Sequence, residues 1–297
     1  MPKLSIVILS YNTKRLTKEC LLSLKINRGE IDFEVIVSDN GSSDGTCTMV
    51  EKEFPWVRLV ENRDNLGFAA GNNKARDYCR GEYVLFLNSD TKVPKDTLKE
   101  TINYIEKNED IGALSCKIVL PNGSLDKDSR RSFPTPWVAF THLVLRLDRI
   151  FPQSKLFARY WYGYLPANYI HEVDVIQGAF FLVRKKILDK VGWFDEDYFL
   201  DGEDIDLCWK IRKAGWKIIY FPQVSILHLK GASKGKGTYS RVIDQKSRLK
   251  YKASGVTSME IFYRKHLWTK YPVFINLIVI LGIKMVKLGR TIATFFR

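Results

Sequence analysis

The chain has 297 residues, enough for one large domain, or one domain with an appendage, at the usual size of roughly 100–200 residues per domain. Apolar residues at 45% and charged residues at 27% exclude a disordered, collagen-like or polytopic membrane chain. The formal charge of +14 is unevenly spread, because residues 230–297 carry 15 basic and two acidic side chains, so a tail of +13 follows a body of +1.

Residues 4–9 form a β-branched apolar run that stops at Ser10, Tyr11 and Asn12. Leu16, Cys20, Leu21 and Leu24 then recur at helical spacing, which predicts strand, loop, helix. Residues 33–37 repeat the pattern, closed by the turn-rich segment 38–45, whose Ser and Asp suit the cap of a helix carrying Met49, Val50 and Phe54. A third strand is predicted over 57–60, a third helix over 68–78, and a fourth strand over 83–87 that ends at Asn88, Ser89 and Asp90. Strands alternating with helices specify a mostly parallel sheet covered on both faces. Ligands collect at the carboxyl ends of such strands, and the polar clusters 10–12, 38–44 and 88–90 all fall there.

Residues 121–171 lose this rhythm and are rich in Pro, Arg and aromatic side chains, a long excursion with a helix expected over 137–150. Residues 173–183 are again strand-like around Gln177, Gly178 and Ala179. Trp193 and Phe194 precede an acidic string, Asp201, Glu203, Asp204 and Asp206, at the head of a helix that stops at Gly215. A last strand over 216–221 is followed by His228. In the tail, the apolar run 273–281 is shorter than the roughly 20 residues a bilayer span needs, and it continues into Lys284, Lys287 and Arg290 on one helical face. That pattern suits a helix lying in an anionic membrane interface, or else a helix packed on the body with a solvated basic face.

Five cysteines, Cys20, Cys47, Cys79, Cys116 and Cys208, make neither a CxxC pair nor an even disulfide framework, which fits a reducing cytosolic compartment. The N-terminal run reads as a buried strand rather than a signal peptide, so no export is expected.

Asn88 and Asp90 offer hard oxygen ligands for Mg²⁺ or Mn²⁺, although a self-capped turn has the same composition. The segment from Asp39 to Ser42 fits a phosphate site or a simple helix cap. The acidic string says more. A helix dipole accounts for one or two carboxylates at a helix start, whereas four packed together raise one another's pKa toward that of a general base. His228 alone would be an ordinary core or surface histidine, but its position after the strand that follows the acidic helix keeps a ligand role open.

Taken together, the segments SIVILSYN, EVIVSDNGSSDGT, NLGFAAGNN, YVLFLNSD, VIQGAFFLVRKKILDKVGWFDEDYF, DGEDIDLCWKIRKAGWKI and ILHLKGAS resemble the inverting, GT-A-fold glycosyltransferases of family 2. Within that family they are similar to the bacterial rhamnosyltransferase-like branch, which builds surface polysaccharides. The resemblance spans residues 3–235, about four fifths of the chain, and seven segments in order are far more specific than any single motif.

The resemblance implies an α/β GT-A catalytic domain over residues 1–235: Rossmann-like, with a mixed, mostly parallel sheet and helices on both faces. Residues 121–171 would lie on the acceptor side, and 236–297 would form a helical, membrane-associating segment. It implies that Ser10, Tyr11, Asn12 and Asp39 hold the nucleotide base and ribose, and that Asn65, Gly67 and Asn72 line the nucleotide-sugar pocket. Asn88, Ser89 and Asp90 stand in place of the DxD metal motif, with Asp90 and His228 as metal ligands. Gly178 and Ala179 would lie beside the transferred sugar. Glu203 and Asp204 match the ED pair, with Asp204 as general base. Trp193 and Phe194 would pack beneath the acceptor, and Arg130 and Arg131 would meet its diphosphate. Asn88 departs from the first Asp of DxD, and the lost charge weakens divalent binding.

The implied reaction moves a sugar from a dTDP- or UDP-sugar, first rhamnose from dTDP-rhamnose and otherwise galactose, glucose or an N-acetylhexosamine, to a polyprenyl-diphosphate-linked or polysaccharide acceptor at the cytoplasmic face of the membrane. Mg²⁺ or Mn²⁺ would assist. A nucleic-acid-binding protein competes on the strength of the +13 tail, but the acidic cluster opposes it and no nucleic-acid partner is expected. A sugar nucleotidyltransferase should carry a glycine-rich basic loop after its first strand, where this chain has Ser10, Tyr11, Asn12 and Thr13.

Overall fold

A computed structural model of the chain describes residues 1–230 and 245–295. The first half runs β1 (Leu4–Ser10), α1 (Lys14–Ile26), β2 (Phe33–Asp39), α2 (Thr46–Glu53), β3 (Val57–Glu61), α3 (Phe68–Asn73), β4 (Tyr83–Asn88), β5 (Thr91–Lys92), α4 (Thr97–Lys107) and β6 (Ile111–Val119). After the excursion, with short helical turns α5 (Pro136–Ala139) and α6 (Leu147–Ile150), come β7 (His171–Glu172), β8 (Phe180–Arg184), α7 (Lys185–Val191), α8 (Glu203–Lys213) and β9 (Lys217–His228). Two C-terminal helices close the chain, α9 (Gln245–Phe262) and α10 (Val273–Phe295).

Among the described residues nine strands form one sheet in the order β3-β2-β1-β4-β8-β6-β9-β5, with β7 beside β9. β3, β2, β1 and β4 are parallel. β8 enters antiparallel between β4 and β6, and β6 and β9 are parallel again. This is the mixed GT-A-like sheet the sequence predicts. Alternation along the strands sends Ile6, Ile8, Val35 and Val37 to one face, under α1, α2 and α4. Val7, Ile36, Val84 and Phe86 go to the other, under α7 and α8. Because both faces are covered the strands read as continuous apolar runs, and cutting a buried Ile6 to Ala should cost about 2–5 kcal/mol.

Parallel register positions the site. Ser10 of β1 pairs with Asp39 of β2, and Leu9 pairs with Asn88 of β4, so three chain exits stand side by side at one sheet edge. Antiparallel β8 starts where β4 stops, with Leu87 opposite Phe180, which brings Gly178 and Ala179 against Asn88; the Asn88 amide donates to the Ala179 carbonyl at 3.3 Å. β5 pairs Thr91 with His228, and the Leu229 amide donates to the Asp90 carbonyl at 2.9 Å. Asp90 and His228 are thereby neighbours.

Several boundaries differ from expectation. The third helix stops at Asn73, and a separate 3₁₀ turn covers Arg76–Tyr78. The strand expected over 173–183 is only the five residues of β8, whereas the last strand runs on to His228 after a register shift. The helix expected over 137–150 is broken, with Arg146 in the left-handed region at φ +52°. α4, β6 and α7 had no sequence assignment.

The C-terminal helices are packed on the body. Val256, Phe262, Tyr263, Leu267, Ile280 and Ile283 form a third cluster with Tyr198 of the body. Phe133 of the excursion sits 4.7 Å from Trp209 of α8 and 6.3 Å from Phe262 of α9, ring centre to ring centre. Buried Asp206 of α8 bonds His266 at 2.6 Å and Lys210 at 3.1 Å. The outer row of α10, including Phe274, Leu277, Ile278, Leu281 and Met285, is exposed beside exposed Lys284 and Lys287. The tail helix therefore has one face packed and one free, where the sequence posed alternatives. Among the described residues no helix is long and apolar enough to cross a membrane. The expected boundary at 235/236, the end of the ILHLKGAS segment and the side chain of Arg290 lie outside the described residues.

Candidate active site

An open cleft of about 700 Å³ lies across the carboxyl ends of β1 and β4. Its floor is Leu9, Tyr11, Asn40, Asn88, Ser89, Gly178 and Ala179. Asp90 and His228 stand on one wall; Asp201, Glu203 and Asp204 at the head of α8 stand on another. Arg131 and Tyr160 of the excursion, and Met259 and Phe262 of α9, complete the rim. Carboxylates from separate halves of the chain thus face one space.

Two glycines let the walls meet. At Gly67, φ is +85° and a Cβ would fall 2.3 Å from the Phe199 carbonyl, the same oxygen that accepts from the Phe68 amide at 2.7 Å. At Gly202, φ is +97° and a Cβ would press within 2.8 Å of Ser258 on α9. Both conformations favour glycine, and each fastens the α8 head to its neighbour.

The Asp90 wall is a polar network around a residue the motifs did not mark. Asp90 Oδ1 and His228 Nε2 are 3.2 Å apart, and Asn88 Nδ2 lies 3.4 Å from the same ring nitrogen. The other ring nitrogen, Nδ1, is 3.2 Å from Asp126 Oδ2. Asp126 is buried and also accepts from Gln177 Nε2 at 3.1 Å, Lys230 Nζ at 2.7 Å and the Asp128 amide at 3.2 Å. Burial alone would push the Asp126 carboxyl up, but hydrogen bonds from His228 and Lys230 hold it well below the usual carboxylate range. Burial likewise opposes charge on His228, and Asp126 and Asp90 outweigh it, lifting the imidazole to about 9. Asp126 had no legible signal, because its partner lies 102 positions away.

This donor set fits a divalent ion held by part of a shell. A carboxylate and an imidazole converge within 3.2 Å, an amide stands beside them, and a second carboxylate orients the imidazole from behind. Among the described residues no three His, Cys, Asp or Glu side chains form a closed cage. The remaining positions would fall to phosphate oxygens and water, the usual habit of Mg²⁺ sites.

On the facing wall Asp204 is buried. Its Oδ2 accepts from a guanidinium nitrogen of Arg131, and its Oδ1 accepts from the Ile205 amide at 2.8 Å. Burial pushes the Asp204 carboxyl up, against the pull of Arg131. Glu203, also buried, lines the same cleft.

Of the residues expected at the site, Tyr11, Asn65, Gly67, Asn88, Ser89, Asp90, Arg131, Gly178, Ala179, Glu203, Asp204 and His228 line the cleft. Ser10, Asn12, Asp39 and Asn72 do not. Ser10 Oγ lies 3.1 Å from both Thr13 and Thr17 hydroxyls. Asn12 Oδ1 accepts from the Ser43 amide, and Asn72 Nδ2 donates to the Phe68 carbonyl. Asp39 accepts from the Ser42 amide at 2.7 Å and hydroxyl at 2.6 Å, capping its own turn beneath Asn40. Trp193 and Phe194 are buried below the floor, Phe194 against Phe86 and Phe68. Arg130 is not among the residues lining the cleft: its guanidinium donates to the Leu165 and Pro166 carbonyls and lies over Tyr220, which fixes the excursion. Asn40, from the segment 39–42, lines the cleft, as do Gln177 and Lys230, to which the sequence assigned no role.

Residues 5–192 match the family profile described as Glycosyl transferase family 2. The chain is 28% identical over 250 residues to the N-acetylglucosaminyl-diphospho-decaprenol L-rhamnosyltransferase of Mycobacterium tuberculosis, covering 80% of each protein. It is 26% identical to rhamnosyltransferase WbbL of Escherichia coli, over 75% of this chain and 82% of that one. Among solved structures it superposes on a mannosyltransferase of Pyrobaculum calidifontis in complex with GDP-Man and Mn²⁺ with a TM-score of 0.58 at 20% identity, covering 89% of this chain and 64% of that one. That likeness is one of fold.

Proposed function

The chain belongs to glycosyl transferase family 2, and from that footing we propose that it transfers a single sugar with inversion, rhamnose from dTDP-rhamnose being the first assignment, to a polyprenyl-diphosphate-linked or polysaccharide acceptor. One observation carries the reading: Asp90, His228, Glu203 and Asp204 line one cleft although Asp90 lies more than a hundred positions from the other three. The rhamnosyltransferase names of both curated relatives support the sugar. The diphospho-decaprenol in the name of the mycobacterial protein supports the acceptor.

In this mechanism the nucleotide lies over Tyr11 and Asn40, and its sugar sits above Gly178 and Ala179, where Gly178 lets the Phe68 ring pack close against the floor. Asp204 takes the proton of the acceptor hydroxyl, which attacks the anomeric carbon from the face opposite the nucleotide, and the configuration inverts. Asp90 and His228 would hold Mg²⁺ or Mn²⁺, which supplies Lewis-acid charge for the departing diphosphate. Asp126 keeps the His228 ring turned so that Nε2 faces Asp90. Lys230, paired with Asp126 and Asp128, lines the same cleft and supplies a cation for the departing diphosphate.

The exposed apolar row of α10 with Lys284 and Lys287 supports a peripheral position on an anionic cytoplasmic membrane face, where a lipid-linked acceptor resides. A truncation after residue 268 that still sediments with membranes would remove that role. The deciding experiment for the whole reading is thermal shift against dTDP-, UDP- and GDP-sugars with and without Mn²⁺, since a ligand that binds only the folded state raises its apparent stability. A dTDP-rhamnose shift that grows with Mn²⁺ is expected, and no shift with any nucleotide-sugar would overturn the proposal.

A further inference from the structure

The contact that Arg131 makes differs from the one its sequence context suggests. Its backbone is locked in an antiparallel bridge with Val175, by an N–H···O bond of 2.9 Å and a reciprocal one of 2.8 Å. Its guanidinium reaches along the cleft wall to Asp204 Oδ2, and the two side chains retain only 11% and 10% of their surface. With Oδ1 on the Ile205 amide, the carboxylate is gripped from the excursion on one oxygen and from α8 on the other.

The electrostatic surroundings make this grip consequential. Tyr160 and Asp128 face the pair from the excursion, and Asp201 and Glu203 from the α8 head. Asp90, His228 and Lys230 stand on the facing wall, while α9 contributes Gly255, Ser258 and Met259, none of which titrates. A buried carboxyl among other carboxylates tends to keep its proton, and a protonated Asp204 has no capacity to accept one. We propose that Arg131 is a positioning residue for the transfer: it keeps Asp204 ionised and aimed into the cleft, and the acceptor's diphosphate is not its partner. The inference rests on the reading of Asp204 as the base. An opposite charge at contact lowers a carboxyl pKa by roughly 1–3 units, which counters part of the burial that raises Asp204 and leaves a base suited to work nearer neutral pH.

The test reads the carboxyl directly, beside transfer assays. The full chain labelled with ¹³Cγ-aspartate is titrated by NMR, with the Asp204 resonance assigned from its loss in Asp204→Asn. In Arg131→Met the Asp204 midpoint should rise by about 1–3 pH units. Arg131→Lys, which keeps a cation in a less rigid geometry, should show a smaller rise and restore part of the turnover. If Arg131→Met does not fold, the lysine variant decides alone, and an unmoved midpoint there overturns the proposal. An unmoved midpoint in Arg131→Met, with a raised KM for a short-chain N-acetylglucosaminyl-diphosphoprenol in detergent, would return Arg131 to acceptor binding. Undiminished transfer by Asp204→Asn would instead remove the base assignment, whichever way the Arg131 midpoint falls.

Discussion

The two walls of the cleft are built on different principles. The wall around Asp90, which the proposal gives to the donor, is a product of strand register: once β1, β2 and β4 are parallel and β5 pairs with β9, Tyr11, Asn40, Asn88, Asp90 and His228 have one place to be. The wall around Asp204, which the proposal gives to the acceptor, has no such ladder. It is assembled from an irregular excursion, the head of α8 and the flank of α9, joined by two buried polar contacts, Arg131 to Asp204 and Asp206 to His266, and by the close approach of Gly202 to Ser258. Backbone ladders tolerate side-chain change, whereas a wall joined by isolated ionic contacts concentrates its sensitivity in a few residues.

The sharpest way to break this comparison is at the base. Asp204→Asn should lower turnover by about 10²–10⁴-fold with nucleotide-sugar binding intact, read by single-turnover kinetics beside thermal shift. Near-normal turnover would pass the role to Glu203 and weaken the case for a concentrated acceptor wall. On the donor wall, Asp126→Asn removes the carboxylate behind His228 and should weaken Mn²⁺ enhancement of donor binding by about 10–100-fold, measured by Mn²⁺ titration at fixed nucleotide-sugar. An unchanged Mn²⁺ response would mean that His228 holds its orientation without Asp126.

A smaller effect is expected where the acceptor wall meets the tail. Asp206→Asn should cost about 1.5–3 kcal/mol in urea denaturation at neutral pH, the usual worth of hydrogen bonds to a charged group. The pH sense follows from the carboxyl. Burial would push Asp206 up, but the bonds from His266 and Lys210 hold it below its ordinary value. The folded state therefore binds that proton less readily than the unfolded chain, so the contact stabilises at neutral pH and fades as pH falls below about 4 through the lower folded pKa. The gap between wild type and variant should narrow from pH 7 toward acid; a constant gap would assign the loss to packing. The smallest expected effect concerns α10: Leu277→Glu with Leu281→Glu should leave the melting temperature near wild type, both side chains being exposed, yet reduce sedimentation with anionic vesicles. Unaltered sedimentation would locate membrane contact elsewhere.

The legibility of the molecule follows the same division. Strands β1 to β4 and their helices could be read because each is signalled by its own short run of residues, and polar clusters at strand ends are local too. The Asn88, Ser89, Asp90 cluster and the acidic string were therefore found, and the family resemblance that joined them is borne out. Asp126 escaped notice for the opposite reason, since a single Asp in a loop says nothing until His228, Gln177 and Lys230 close around it. Asp39 and Ser10 were expected to hold the nucleotide; in the structure Asp39 accepts from the Ser42 amide and Ser10 meets the Thr13 hydroxyl, contacts no strand pattern announces.

From the sequence alone, the doubly covered sheet, the edge at which chemistry would occur and the residue types available there were determined, because apolar periodicity and turn composition act over a few neighbouring positions. Only the tertiary structure decided which charges meet. Whether Arg131 faces an acceptor or a carboxylate, and whether the tail hangs free or locks onto α8, depends on desolvated contacts between segments far apart in the chain, and their strength is set by burial that exists only once the chain has folded.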